Sequence, residues 1–526
     1  MDNPQIKRAI ISVTDKTGVA AFAKALEDEF GVEIVSTGGT AKALEEAGVT
    51  VKPIDELTGF PEMMDGRVKT LHPVVHGGLL AKRDNPEHMA AAAEHGIGMI
   101  DMVVVNLYQF EKTVAKPDVT FADAIEHIDI GGPSMLRSAA KNHESVTVVT
   151  DPASYDAILD EMRAHNGATT LETRRRLALE VFRTTSAYDN AIYQWLSGQV
   201  EGADAFPQDN RVFLEKKQDL RYGENPHQHA AFYVYPAAPG HPAANNTLAR
   251  ATQLQGKELS YNNYLDTDAA WAAVREYQEP ACVCVKHLTP CGIAVDNDLA
   301  TAYEKAYGCD PVSAYGGVLA FNREVTADVC QHIFANKQFV ECIVAPSFSA
   351  EAQELYSQKK NARLLATGGC NPAGHDVEYR AVEGGLLMQE SDGVTEDPAT
   401  FTVPTERKPT DEEMTQLLFA WKAVKSVKSN AVLLAKDNKT VGIGGGQPNR
   451  VNAARIAVTE AAERAQGAVA ASDAFLPFSD TLQVVADAGV TALIQPGGSI
   501  RDDESIELAN KLGIAMVFTG HRHFRH

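Results

Sequence analysis

Cysteine is scarce in this chain, and what there is lies together: Cys282, Cys284, Cys291, Cys309, Cys330, Cys342 and Cys370 are the only seven, all in one middle segment. An odd number with no C-x-x-C pair argues against a disulfide framework and offers zinc no ligand spacing, so these thiols are expected to be small buried hydrophobes. Long apolar runs are missing too. Nowhere do about 18 apolar residues follow one another, and the N-terminal MDNPQIKRAIISVTDKTG has no apolar stretch behind a basic start, which predicts a cytosolic protein without a membrane span. Positive charge is in deficit: 48 Lys and Arg stand against 70 Asp and Glu, a formal charge of −22. Such a chain repels nucleic acid and anionic membrane, so neither is expected as a partner, and any anionic ligand needs a locally basic pocket. Short-period repeats and low-complexity tracts are also absent.

What remains is an ordinary globular composition, 44% hydrophobic and 22% charged, spread over 526 residues. At about 100 to 200 residues per domain this length predicts about three folding units. The first part alternates strand-like KRAIISV, VEIVS and MIDMVVVNLY with helix-like GVAAFAKALEDEF and TAKALEEAG, the rhythm of a parallel α/β sheet. LETRRRLALEVFRTTSAYDNAIYQWLSGQV, residues 171–200, has helical periodicity, and the following GADAFPQDN places a boundary near residue 202. A second α/β region follows, with strand-like PACVCVKH and ECIVAPS among helix-like DAAWAAVREYQ and LATAYEKAYG. Turn-rich TEDPATFTVPTERKPTD marks a further division, so the domains are expected at 1–202, 203–395 and 396–526.

Several segments concentrate groups that do chemistry. VEIVSTGGTAKALEEAG puts Thr37, Gly38, Gly39 and Thr40 between a strand and a helix; this suits either a phosphate cradle at a helix N-terminus or a plain capped turn. GRVKTLHPVVHGGLLAKR gathers Arg67, Lys69, His72, His76, Lys82 and Arg83, a basic cluster fit for an anion. Pro73 and Gly77–Gly78 argue against a helix there, which weakens a metal pairing of His72 with His76. Asn106 and Tyr108 end an apolar strand, while Asp129, Gly131 and Gly132 precede a helix carrying Lys141. A carboxylate, a phenol and a lysine are the materials of proton transfer and oxyanion stabilisation, although Asp129 also suits a helix cap. In CVCVKHLTPCG, Lys286 and His287 fall at the end of a strand, where ligands bind in open α/β sheets. Arg221 and Tyr222 in DLRYGENPHQ are suited to gripping a phosphate or carboxylate, or to an ordinary surface loop. The turn GIGGGQPNR is not a dinucleotide fingerprint, since Gln447 stands at its sixth position.

Taken together, ISVTDKTG, STGGTAKAL, ELTGFPEMMDGRVKTLHPVVHGGLLA, IDIGGPSMLRSAAKNH, LRYGENPHQ, LQGKELSYNN, VKH, KSNA, SDAFLPF, QPGGSIRD and the terminal RHFRH resemble, in family order and over practically the whole chain, the bifunctional phosphoribosylaminoimidazolecarboxamide (AICAR) formyltransferase and inosinate (IMP) cyclohydrolase family. The resemblance implies a methylglyoxal-synthase-like N-terminal domain followed by a transformylase region of two cytidine-deaminase-like subdomains. It further implies 10-formyltetrahydrofolate as co-substrate, no catalytic metal, AICAR, formyl-AICAR and IMP as ligands, and a homodimer with transformylase sites at the interface. For cyclisation the matching positions are Ser12, Lys16, Thr37, Gly38, Gly39 and Thr40 around the nucleotide phosphate, with Arg67 and Thr70 nearby and Asn106, Gly131 and Gly132 lining the substrate. Lys69, Tyr108, Asp129 and Lys141 match the residues of ring closure. For formyl transfer Lys286 and His287 match the catalytic pair, and Arg221, Tyr222, Glu341, Asn430, Arg450, Phe475 and Arg522 match ligand contacts. Gln109, Pro448, Leu476, Ser479 and His521 depart from the family pattern without removing a catalytic group. Two rivals from other classes are a nucleotide-binding scaffold without turnover and a zinc nucleobase deaminase; the lack of H-x-E and P-C-x-x-C disfavours the second.

Overall fold

The computed structural model describes residues 3–200, 206, 209–235, 246–372, 377–394 and 397–526. Two compact units divide between Phe213 and Leu214. The boundaries expected near residue 202 and at 395–396 lie outside the described residues.

In the first unit, β1 (Arg8–Val13), β2 (Glu33–Ser36), β3 (Val51–Pro53), β4 (Met102–Asn106) and β5 (Thr147–Val149) form a wholly parallel sheet in the order β3-β2-β1-β4-β5. Parallel neighbours require crossovers, and helices covering both faces explain why Met102–Val105 is an unbroken apolar run, buried at every position. The chain leaves β1 toward β2 on one side and returns to β4 on the other. That reversal opens a crevice above the carboxyl ends of β1 and β4. The long helix expected from periodicity is present as Leu171–Val200, and its Leu177, Ala178 and Val181 join the core. One local expectation is corrected: Pro73–Leu80 is a helix. Proline at the first helical position sacrifices no hydrogen bond, and His72 caps the turn by accepting from the Val74 N–H at 3.2 Å. Gly78 allows close packing, since a Cβ there would lie 2.6 Å from the Gly98 carbonyl oxygen.

The second unit contains β6 (Glu215–Leu220), β7 (Ala230–Val234), β8 (Thr252–Gln255), β9 (Ala281–Lys286), β10 (Thr289–Val295), β11 (Gly317–Phe321), β12 (Val340–Ala345), β13 (Arg363–Ala366), β14 (Val377–Val382), β15 (Gly385–Glu390), β16 (Val432–Lys436), β17 (Lys439–Gly444), β18 (Val469–Ser472), β19 (Ala492–Gln495) and β20 (Ala515–Phe518). Eleven of them make one sheet, β20-β19-β18-β16-β17-β10-β9-β11-β12-β13-β8, while β6/β7 and β14/β15 are separate ribbons. The large sheet is a duplication. A helix, a hairpin and three further strands recur on each side of the antiparallel contact between Ala294 of β10 and Lys439 of β17. Trp271 and Trp421, Lys286 and Lys436, and Gly292 and Gly442 are separated by the same length of chain and hold matching places. A Cβ on Gly292 would meet the Ala306 carbonyl oxygen at 2.0 Å, and one on Gly442 the Ala457 carbonyl oxygen at 2.0 Å. So long a period escapes a search for short repeats.

Alternation along β9 sends Val283 and Val285 into one core with Trp271 and Trp421, and Cys282 and Cys284 into the other with Tyr303. All seven cysteines are free thiols, and burial pushes those of Cys309, Cys330 and Cys342 up to about 12. Among the described residues no helix is long and apolar enough to cross a membrane.

Candidate active sites

A cavity of about 660 Å³ occupies the crevice of the first unit, lined by Ser12, Lys16, Thr37–Thr40, Arg67, Lys69, Thr70, Asn106, Tyr108, Asp129, Gly131 and Gly132. The sequence candidates for cyclisation thus converge, with one exception. Lys141 ends the 11-residue helix that begins at Gly131. At 1.5 Å per residue it lies about 15 Å along the axis from the helix start that faces the cavity, and it does not line it.

Two helix N-termini meet at the cavity. The helix Gly38–Glu46 begins at the glycine loop, where Thr37 makes no side-chain cap and Gly38 has φ +46°, so its first N–H groups are left for an anion. Thr40 is not a free ligand group: its hydroxyl accepts from the Val13 N–H at 3.0 Å and donates to the Val13 carbonyl at 2.9 Å, tying the cradle to β1. Asn106 clamps the adjoining loop, accepting from the N–H groups of Thr14 at 2.6 Å and Asp15 at 2.9 Å. The second helix, Gly131–Lys141, presents the N–H of Gly132 to Asp129 Oδ1 at 2.8 Å. Gly131 is required because a Cβ would meet Thr70 Oγ1 at 2.7 Å.

Lys69 Nζ pairs with Glu62 at 2.8 Å, and Arg67 pairs with Glu126. Burial pushes the Asp129 carboxyl above its ordinary range, partly opposed by the backbone N–H groups of Gly132 and Tyr108. Burial likewise raises the Tyr108 phenol, reinforced by the charges of Asp129, Glu126 and Glu62. Tyr188, on the long helix, accepts from the Asp129 N–H at 2.8 Å, and burial pushes its own phenol up to about 12. Glu62, Glu126 and Tyr188 were not singled out from sequence. The only sequence signal for the first two is the need of Lys69 and Arg67 for nearby carboxylates; nothing local signals Tyr188, which comes from a distant helix.

In the second unit the formyl-transfer candidates share one end of the large sheet. The β9–β10 turn carries Lys286 and His287, and because β10 runs antiparallel to β17, the start of β16 and Asn430 lie at that same end. The pairing of β18 with β16, and of β19 and β20 beyond it, brings the carboxyl ends of these strands, with Phe475 and Arg522 after them, to this edge. Glu341, near the amino end of β12, joins through β11. Asn262, at the start of the helix after β8, donates to the Glu224 carbonyl at 3.3 Å and holds the β6–β7 turn bearing Arg221 and Tyr222 nearby. His287 is exposed; Lys286 Nζ donates to the Tyr315 carbonyl at 2.8 Å. Glu341 is engaged by Arg363 at 2.8 Å. Arg450 is buried, its guanidinium paired with Asp473 and donating to Asn430 Oδ1 at 2.9 Å, so it orients Asn430 rather than facing outward. Rather than fraying, the terminal residues are tied down: His523 is buried, its N–H donates to the Asp473 carbonyl at 2.9 Å, and the Arg525 N–H donates to Ser429 Oγ at 3.1 Å.

Comparison with known proteins follows this division. A family model described as AICARFT/IMPCHase bienzyme matches residues 139–460, and one described as MGS-like domain matches residues 18–134. Curated relatives named bifunctional purine biosynthesis protein PurH, from Bacillus cereus (strain ATCC 10987 / NRS 248) and Bacillus anthracis, are each 55% identical over 520 residues, covering 99% of this chain and 100% of the relative. A solved structure titled crystal structure of ForH aligns with 37% of this chain and 98% of its own at 36% identity, with a TM-score of 0.35 that carries no weight for the fold. Matched by this family model over more than half its length and by its relatives nearly end to end, the chain belongs to the AICARFT/IMPCHase bienzyme family.

Proposed function

We infer that the chain performs the last two steps of purine nucleotide synthesis, formyl transfer to the 5-amino group of AICAR and closure of formyl-AICAR to IMP, and that it houses them in different units. The observation carrying this division is the convergence of Lys69, Tyr108 and Asp129 on one cavity of the first unit, while Lys286 and His287 stand at the sheet end of the second.

In ring closure the carboxamide nitrogen attacks the formyl carbon. The C–N bond forms, the carbonyl pair moves to oxygen, and that oxygen leaves as water with one proton from each nitrogen. Lys69 and the protonated Tyr108 stabilise the oxyanion, and the raised Asp129 carboxylate takes the nitrogen proton. The N-terminus of the Gly38–Glu46 helix, with Ser12 and Lys16, holds the phosphate.

In formyl transfer, with 10-formyltetrahydrofolate as donor, the substrate amine is weak because its lone pair is delocalised into the ring. His287 removes its proton as the new C–N bond forms, and Lys286 supplies a proton to the leaving folate nitrogen. Arg221, Tyr222, Asn430, Phe475, Arg522 and Glu341 contact the two ligands, and Arg450 supports Asn430. This site is completed in a homodimer. The β14/β15 ribbon supports that assignment, because Val382, Leu386 and Leu387 are exposed on a two-stranded element that has little core of its own. Pure protein given AICAR and 10-formyltetrahydrofolate is expected to form IMP; a folded preparation that consumes neither overturns the assignment.

A further inference from the structure

The two halves of the large sheet carry the same hairpin with different turn residues. Lys286 pairs with Thr289 and Lys436 with Lys439, leaving two-residue turns at His287–Leu288 and Asp437–Asn438. All four residues have positive φ: 53° and 64° in the first turn, 55° and 57° in the second. Asp and Asn adopt such a conformation readily and His tolerates it, whereas Leu pays a steric penalty. The first turn therefore needs support from outside itself.

That support comes from the helix before each hairpin. In Tyr261–Val274 the half-buried Asp266 accepts from the Leu288 N–H through Oδ1 at 2.7 Å; in Asp411–Val424 the matching Gln416 accepts from the Asn438 N–H through Oε1 at 2.7 Å. A neutral amide suffices for the relaxed turn. The strained one is held by a carboxylate, the stronger acceptor, and by the Leu288 side chain, which packs on the core.

We propose that Asp266 is a positioning residue for formyl transfer: by fixing the Leu288 N–H it keeps the strained turn in place and presents the His287 imidazole at the sheet end. This rests on the assignment of His287 to formyl transfer, which His287→Ala tests separately. If that variant transfers formyl groups at the normal rate, the assignment of His287 fails and the role of Asp266 with it. With His287 established as essential, Asp266→Ala is expected to lower kcat for formyl transfer at least about tenfold with KM for AICAR nearly unchanged. Cyclisation of supplied formyl-AICAR stays at its normal rate, and an unchanged denaturant midpoint for the second unit reports that the unit carrying the substitution is folded. Asp266→Asn, which keeps an acceptor but a weaker one, loses clearly less activity than Asp266→Ala and has an unchanged pH profile. Adding Leu288→Gly to Asp266→Ala recovers part of the loss, because glycine tolerates positive φ. Hydrogen exchange across residues 286–290 quickens more in Asp266→Ala than in Asp266→Asn, and Gln416→Ala leaves formyl transfer unchanged. Normal kcat in Asp266→Ala, or equal damage and a shifted pH profile in Asp266→Asn, overturns the proposal.

Discussion

In the N-terminal unit the groups proposed for ring closure face one cavity of about 660 Å³, whereas those proposed for formyl transfer are strung along one end of an 11-stranded sheet. The difference follows from topology. A parallel sheet with one reversal of strand order makes its own crevice, and loops from neighbouring strands close around it. The first arrangement desolvates its acids, as the raised Asp129 and Tyr108 show. The second holds its groups in place by turns and caps, and we propose that a second subunit closes it.

The largest effect expected from that contrast is a clean separation of activities. His287→Ala should lower formyl transfer by about 10²- to 10⁴-fold while cyclisation of supplied formyl-AICAR continues; equal loss of both in a folded variant breaks the comparison. Lys69→Ala should do the reverse, slowing cyclisation by about 10²- to 10³-fold with formyl transfer preserved, as separate steady-state assays will show. Dilution sharpens the point: specific formyl-transfer activity should fall several-fold as the oligomer dissociates, whereas cyclisation per chain should hold, with mass measured by light scattering at each concentration.

A subtler effect concerns pH. The folded-state carboxyl of Asp129 is raised by burial, so cyclisation that needs its ionised form should fail, on acidification, at a higher pH than an ordinary carboxylate would allow. The same raised value favours the protonated folded state. Its relative stabilisation is complete below the unfolded carboxyl pKa and is lost as pH rises through the folded one. Asp129→Asn should therefore be more stable than the parent at neutral pH, with the gap closing below about pH 4, while cyclisation is lost. The smallest effect is at Tyr188→Phe, which removes the acceptor of the Asp129 N–H and should lower stability by about 1 kcal/mol in denaturant unfolding.

Much of this was legible in the chain. Period-two alternation in PACVCVKH placed Cys282 and Cys284 on one face, and helical spacing marked 171–200, because each reports burial on a local repeat. The glycine loop at Gly38–Gly39 and the strand-end position of Lys286 were readable for the same reason. Proline misled at Pro73, where its effect depends on whether it begins a helix or interrupts one. That Lys141 stands off the cavity lining was not legible, because a motif records nearness in sequence, while a helix carries its last turn away from its first.

Composition and order of residues by themselves determined an α/β protein of unusual acidity with local basic clusters, its strands and principal helices, and the two groups of chemical side chains, since these depend on short-range periodicity and residue type. Tertiary structure alone decided which of those side chains meet. It brought Tyr188 to Asp129, turned Arg450 inward onto Asp473, paired the two halves of the large sheet through Ala294 and Lys439, and set Asp266 beneath the His287–Leu288 turn. These contacts join residues far apart in the chain, so packing had to create the proximity that no local pattern encodes.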